Sequence, residues 1–184
     1  MTKTASATPR AVPDTVSGTG VGRICCERRA GAWLRASWRY GRKAVPRILR
    51  SHLDDGFFHV TARGNRGSMV FVDDLDRIDF LQLLRTTRKR FEWRCLAHCL
   101  LGTHYHLIIE ASQENLSSGM QRLNGVYARR FNRRHGYRGH VFEDRFASFV
   151  IEDEPHLQAA VAYVHQNPVR AGLCNRAEEW RWSG

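Results

Sequence analysis

From residue 56 onward the chain switches between two hydrophobic periods, near 2 and near 3.6 residues, and each switch marks an element. Phe57-Phe58-His59-Val60-Thr61-Ala62-Arg63 reads as a strand, closed by the turn residues Gly64-Asn65-Arg66-Gly67. Met69-Val70-Phe71-Val72 predicts a second strand, paired with the first as a hairpin. Asp73 or Asp74 then caps a helix running to Arg90, with Leu75, Ile78, Phe80, Leu81 and Leu84 as its apolar face. Residues 93–101 predict a third strand, and after the Gly102-Thr103 break residues 104–110 predict another. Leu116, Met120, Leu123, Tyr127 and Phe131 recur at helical spacing across residues 114–134. Residues 146–151 read as a further strand. Asp153 or Glu154, with Pro155 in the first turn, opens a last helix that ends at Asn167-Pro168. The alternation predicts one α+β domain, an antiparallel sheet of about four or five strands with helices packed mainly on one face.

Residues 1–44 show no such periodicity. They mix Thr, Ser, Ala, Pro and Gly and turn basic between Arg23 and Lys43. This stretch reads as a basic, disordered N-terminal extension, with residues 45–184 as the folded domain. As an arm, it could also add affinity for a polyanion.

Charge sharpens the picture. Lys and Arg number 29 against 18 Asp and Glu, a formal net charge of +11. Arginine dominates, and its planar fork suits phosphate. The partner class implied is nucleic acid. No apolar run approaches the length of a spanning helix and no secretory h-region is visible, so the expectation is a cytoplasmic protein with no membrane partner. The five cysteines are odd in number and irregularly spaced, which argues against a disulfide framework.

The candidate chemistry centres on residues 100–110. In a strand, His104 and His106 project to one face, about 7 Å apart along the backbone. Two imidazoles so placed can converge on one divalent metal or one phosphate, or simply sit in solvent, while Tyr105 and Leu107 face a packing layer. A zinc site that adds Cys95 and Cys99 is disfavoured, because two residues four apart in a strand lie about 13 Å from each other. Tyr163 and Asn167, four apart on the last helix, share one face and can share one site; Tyr163 can equally be an edge-of-core residue. Arg63, Asn65 and Arg66 at the first turn are candidate phosphate contacts, as are Arg129, Arg130, Arg133 and Arg134 on the long helix. Residues 136–146 interleave glycine, aromatic and basic residues, including Arg138 and Arg145. Such a segment can stack on bases and grip phosphates, or can be a hairpin with ordinary core aromatics.

Four segments in order resemble the REP-associated tyrosine transposases and the related single-tyrosine, HUH-type insertion-sequence transposases. Phe58-His59-Val60-Thr61-Ala62-Arg63-Gly64-Asn65 resembles their opening strand and turn. Thr103-His104-Tyr105-His106-Leu107-Ile108-Ile109 resembles their His-hydrophobic-His strand, though with Thr103 where Asn is usual and Tyr105 where an aliphatic is usual. The run from Phe131 to Phe146 also fits. Tyr163-Val164-His165-Gln166-Asn167-Pro168-Val169-Arg170-Ala171-Gly172 resembles their tyrosine helix. The resemblance covers about residues 46–182. It implies a ferredoxin-like fold with Tyr163 as nucleophile, and His104, His106 and Asn167 as ligands of a Mg2+ or Mn2+ ion. The activity implied is cleavage and strand transfer of single-stranded or hairpin DNA through a 5′-phosphotyrosine intermediate, by a monomer or homodimer. Tyr127 is a competing nucleophile candidate that lacks the asparagine one turn on. Two other functions stand beside this one: a domesticated binder of structured DNA or RNA that does not cleave, and a small zinc hydrolase built on His104 and His106.

Overall fold

Alternation and capping residues set the local elements, and they are largely where the sequence puts them. A computed structural model of the chain describes residues 55–184, so the extension read over residues 1–44 lies outside the described residues. The elements run β1 (Gly56–Arg63), α1 (Asp74–Arg90), β2 (Arg94–Leu100), β3 (His104–Ala111), α2 (Gln113–His135), β4 (Ala147–Ile151) and α3 (Glu154–Arg170). Asp73, Ser112 and Asp153 each accept a bond from a backbone N–H in the first turn of the helix that follows, so all three α-helices of the described residues start on a side-chain cap. Gly136, in the left-handed region at φ 69°, ends α2.

The four strands are antiparallel in the order β2-β3-β1-β4. The β-α-β-β-α-β order up to β4 is the ferredoxin-like arrangement. It corrects one expectation. Met69–Val72 is not a strand, because β3 and β4 already occupy both edges of β1. The chain turns away through Arg66 and Gly67, both at positive φ, and the Val70 and Phe71 N–H groups donate to the Gly102 carbonyl. Val70 and Phe71 are buried as a linker.

Residues of one strand feed two separate cores. Phe58, Val60 and Ala62 of β1 and Tyr105, Leu107 and Ile109 of β3 pack beneath α1 and α2. Ile108, Ala97 and Cys99 on the opposite face pack with Ile151 beneath Ala160 and Val164 of α3. Two helices therefore share one face, as expected, and the third lies alone on the other.

The buried stripe of α1 is rotated from the expected one. Phe80 and Leu84 are buried, but so are Asp76 and Arg77, while Leu75 and Ile78 are exposed. Polar partners make this tolerable. Asp76 accepts from the Val72 N–H and contacts Arg134 and His135 of α2. The Arg77 guanidinium lies 5.7–5.9 Å from the ring centroids of Phe71, Trp180 and Trp182. Gly184 and His98 also exchange backbone hydrogen bonds and the Leu100 N–H donates to the Trp182 carbonyl, which covers the outer edge of β2.

Candidate active site

The site lies on the sheet face that carries only α3. On β1 the odd residues point to it and on β3 the even ones. The register sets Arg63 opposite His104 and Thr61 opposite His106, with His59 one step further along. Diagonal neighbours across an antiparallel pair are within reach of ring side chains. The His104 and His106 rings lie 5.2 Å apart between centroids, edge to face. The two histidines named from the sequence therefore do share one locus.

Tyr163 is brought onto them by α3. Its ring centroid lies 5.7 Å from that of His106 and 5.8 Å from that of His59, edge-on to both. Arg170, two turns further along, places its guanidinium 5.1 Å from the Tyr163 ring centroid. Asn167 is buried one turn from Tyr163, and its Nδ2 donates to the Tyr163 carbonyl at 2.9 Å. That bond turns the amide nitrogen inward to the helix and leaves the amide oxygen as the atom not used in it.

The electrostatics favour neutral imidazoles. Burial pulls His59 down to about 4, with the charge of His156 adding to it. Burial, then Arg63, brings His104 to about 4. His106 is held well below the usual histidine range by burial and by its two histidine neighbours. A neutral imidazole has a lone pair to give to a metal. His106 is 3% exposed, and its Nε2 is buried with no hydrogen-bond partner among the described residues. An orphaned, deprotonatable nitrogen in a tyrosine pocket suits a metal ligand. Among the described residues no group of three or more His, Cys, Asp and Glu side chains is arranged to hold a metal. A site built on His104 and His106 therefore needs a donor of another type.

Both departures from the family pattern are accommodated locally. Thr103 Oγ1 lies 3.0 Å from His104 Nδ1, so the threonine meets the ring. Tyr105 is fully buried on the other face and donates its hydroxyl to Asn124 Oδ1 at 2.6 Å. The rival Tyr127 is 1% exposed beneath α1, with its hydroxyl donating to the Val70 carbonyl. Burial pushes its phenol well above the usual range, and it belongs to the core on the far side of the sheet from the histidines. The Cys95–Cys99 zinc site fails on sidedness. A bulge between Cys95 and Ala97 leaves Cys95 against the α1/α2 core and Cys99 in the α3 core.

The arginines divide into two groups. Arg63 is exposed at the end of β1 opposite His104, and Asn65 and Arg66 follow in the turn. The Asn65 N–H donates to the Val141 carbonyl and the Glu143 N–H to the Arg63 carbonyl. Those bonds tie the loop carrying the exposed Arg138 and Arg145 to the histidine end of the sheet. This loop is not the hairpin that its glycines and aromatics allowed; its one ladder contact is the bridge from Phe142 to Gly64. On α2, Arg130 pairs with Asp79 at 2.7 Å and Arg134 with Asp73 at 2.6 Å, so both cross-link α2 to α1. Arg129 and Arg133 remain exposed on α2.

His59 and Arg170 are the site residues that sequence reasoning missed. Arg170 is seven residues from Tyr163 and so on its helix face, but the helix was expected to stop at Pro168. In the structure it continues to Arg170 with Pro168 in its last turn. His59 is separated from Phe58 and Val60 by strand alternation, a signal present in the sequence but uninformative until β1 is paired with β3.

Residues 54–167 match the family described as Transposase IS200 like. A Haemophilus influenzae protein provisionally named REP-associated tyrosine transposase is 24% identical over 116 residues, covering 57% of this chain and 66% of that protein. The chain thus spans just under two thirds of that relative's length. The solved structure of a REP-associated tyrosine transposase bound to a REP hairpin superposes with a TM-score of 0.59 at 19% identity, over 71% of this chain and 77% of that one. At that identity the likeness speaks for the α+β fold alone. The family match, which takes in well over half of the chain, places this protein among the IS200-like transposases.

Proposed function

We propose that the protein cleaves and rejoins single-stranded DNA beside hairpin-forming repeats, with Tyr163 as the nucleophile. The observation that carries this reading is the seating of the Tyr163 ring against His106 and His59 on the sheet face that also bears His104. The phenol oxygen attacks the scissile phosphorus and loses its proton to solvent or a base. The bond from phosphorus to the 3′ oxygen breaks, that oxygen gains a proton, and the 5′ phosphate stays on Tyr163. Attack by a 3′ hydroxyl on this ester reverses the step and joins strands without a nucleotide cofactor.

His104, His106 and the Asn167 oxygen would hold the divalent cation, Mg2+ or Mn2+. When bound, it would neutralise charge on the phosphate oxygens and align the attack. Two imidazoles and an amide are softer than the oxygen shell that magnesium prefers, so manganese should serve at least as well. The remaining work falls to the polypeptide. Arg170 braces the Tyr163 ring, and the Asn167 bond to the Tyr163 carbonyl stiffens the turn that presents it. Arg63, Arg66, Arg138 and Arg145 supply cations for backbone phosphates at the histidine end.

The test is a labelled hairpin with a single-stranded flank, incubated with protein and Mn2+ and run on a denaturing gel. Wild type should give a protein–DNA adduct, and Tyr163→Phe none, while both bind the hairpin with similar affinity. An undiminished adduct from Tyr163→Phe would remove Tyr163 from the role. Hairpin binding without any wild-type adduct would leave the non-cleaving binder.

A further inference from the structure

We infer that His59 is a positioning residue, whose ring holds His106 in the tautomer that turns the Nε2 lone pair of His106 into the site. The metal half of the consequence rests on the function proposed above; the tautomer itself does not. His59 Nε2 lies 2.9 Å from His106 Nδ1, with the two rings 5.1 Å apart between centroids. A neutral imidazole carries one ring proton, so this contact can be made in two ways only. Either His106 Nδ1–H donates to His59 Nε2, or His59 Nε2–H donates to His106 Nδ1. The second arrangement puts the His106 proton on Nε2. That atom is buried with no acceptor among the described residues, and an orphaned buried N–H is the rarest kind of unpaired polar group. The first leaves Nε2 bare.

The neighbouring histidine follows the same plan. His104 Nδ1 is engaged by the Thr103 hydroxyl at 3.0 Å, which leaves Nε2 as its other nitrogen. Both site histidines thus have Nδ1 occupied by a neighbour. A partner on the far nitrogen that orients the ring and sets its tautomer is a general requirement for an imidazole ligand. For His106 that partner is another histidine, His59, on the adjacent strand.

The experiment uses the full chain without metal or DNA. Long-range proton–nitrogen correlation spectra should show the His106 proton on Nδ1 in wild type. The same should hold in His59→Gln, whose side-chain oxygen can still accept, whereas His59→Phe should lose that preference. Mn2+ titration, followed by the electron paramagnetic resonance of the free ion, should show affinity lowered about 10- to 100-fold in His59→Phe and near wild type in His59→Gln. A wild-type His106 carrying its proton on Nε2 would overturn the inference. So would a folded His59→Phe protein with wild-type Mn2+ affinity. A wild type with the proton on Nδ1 that binds no Mn2+ would keep the tautomer assignment and strike the metal from the proposed function.

Discussion

The two faces of the sheet are made from the same strands and do opposite things. Under α1 and α2, two tyrosines, Tyr105 and Tyr127, are buried and have their hydroxyls spent on Asn124 and the Val70 carbonyl. Under α3, one tyrosine stands half-buried against two imidazoles, and one of those has a nitrogen with no hydrogen-bond partner among the described residues. One face has the hydroxyls of its buried tyrosines bonded inside a packed core. The other sets a half-buried phenol ring against an imidazole whose Nε2 has no hydrogen-bond partner among the described residues, a pairing of reactive groups that the first face lacks. Two helices cover the first face and a single helix lies on the second.

That contrast can be broken most sharply with the tyrosines. Tyr163→Phe should lower covalent adduct formation by about 10^4-fold or more, as removal of a nucleophile does, with little change in melting temperature. Tyr127→Phe should retain adduct formation and lose about 1 kcal/mol of stability in urea titration, from the hydroxyl's bond to a buried carbonyl. A reversal of these two outcomes would exchange the roles of the faces.

Adjacent residues of β3 give the next test. His106→Ala should cut cleavage by about 10^2-fold or more, an effect that added Mn2+ only partly restores. Its neighbour Tyr105→Phe, on the other face, should cleave normally and unfold about 1 kcal/mol more easily. In the closed half, Asp76→Ala removes the acceptor of the Val72 N–H and the anion between Arg134 and His135. A loss of about 3 kcal/mol in denaturant titration is expected, with hairpin affinity unchanged.

The open face carries its own pH dependence of stability. His59 and His104 titrate near 4 when folded and near 6.5 when unfolded. Between those values the unfolded chain binds the extra protons. The stability they contribute is therefore complete above pH 6.5 and is lost as pH falls toward 4. Each site can contribute a slope of up to about 1.4 kcal/mol per pH unit. Urea midpoints at pH 7 and pH 5 measure it, and His59→Gln should flatten the slope. The smallest effect separates the arginines. Arg63→Ala should weaken hairpin binding a few-fold and lower the salt slope by about 0.7–0.9, whereas Arg134→Ala should leave that slope alone and lower the melting temperature. Equal salt slopes for the two variants would deny the division between phosphate contacts and internal cross-links.

Much of this was legible in the sequence. The strand alternation at residues 104–110 separated the histidines from Tyr105 and Leu107, and the four-residue spacing put Tyr163 and Asn167 on one helix face. The helix starts were legible as Asp73 or Asp74 and Asp153 or Glu154, and the first of each pair is the cap. What failed depended on distant partners. Met69–Val72 has strand composition, but β1 had no free edge to offer it. Leu75 and Ile78 looked like core, yet the stripe that turned inward was the one whose Asp76 and Arg77 found partners on α2 and beside Trp180 and Trp182.

Residue type and period are local, so the chain alone marked most of its elements, its basic character, two histidines on one strand face, and a tyrosine and an asparagine on one helix face. The pairing of β1 with β3 is a contact across more than forty residues, and only that register brings His59 Nε2 to His106 Nδ1. Side-chain partners of that kind are chosen by the folded geometry, because a nitrogen's hydrogen-bond mate depends on which strand lies beside it rather than on which residue precedes it.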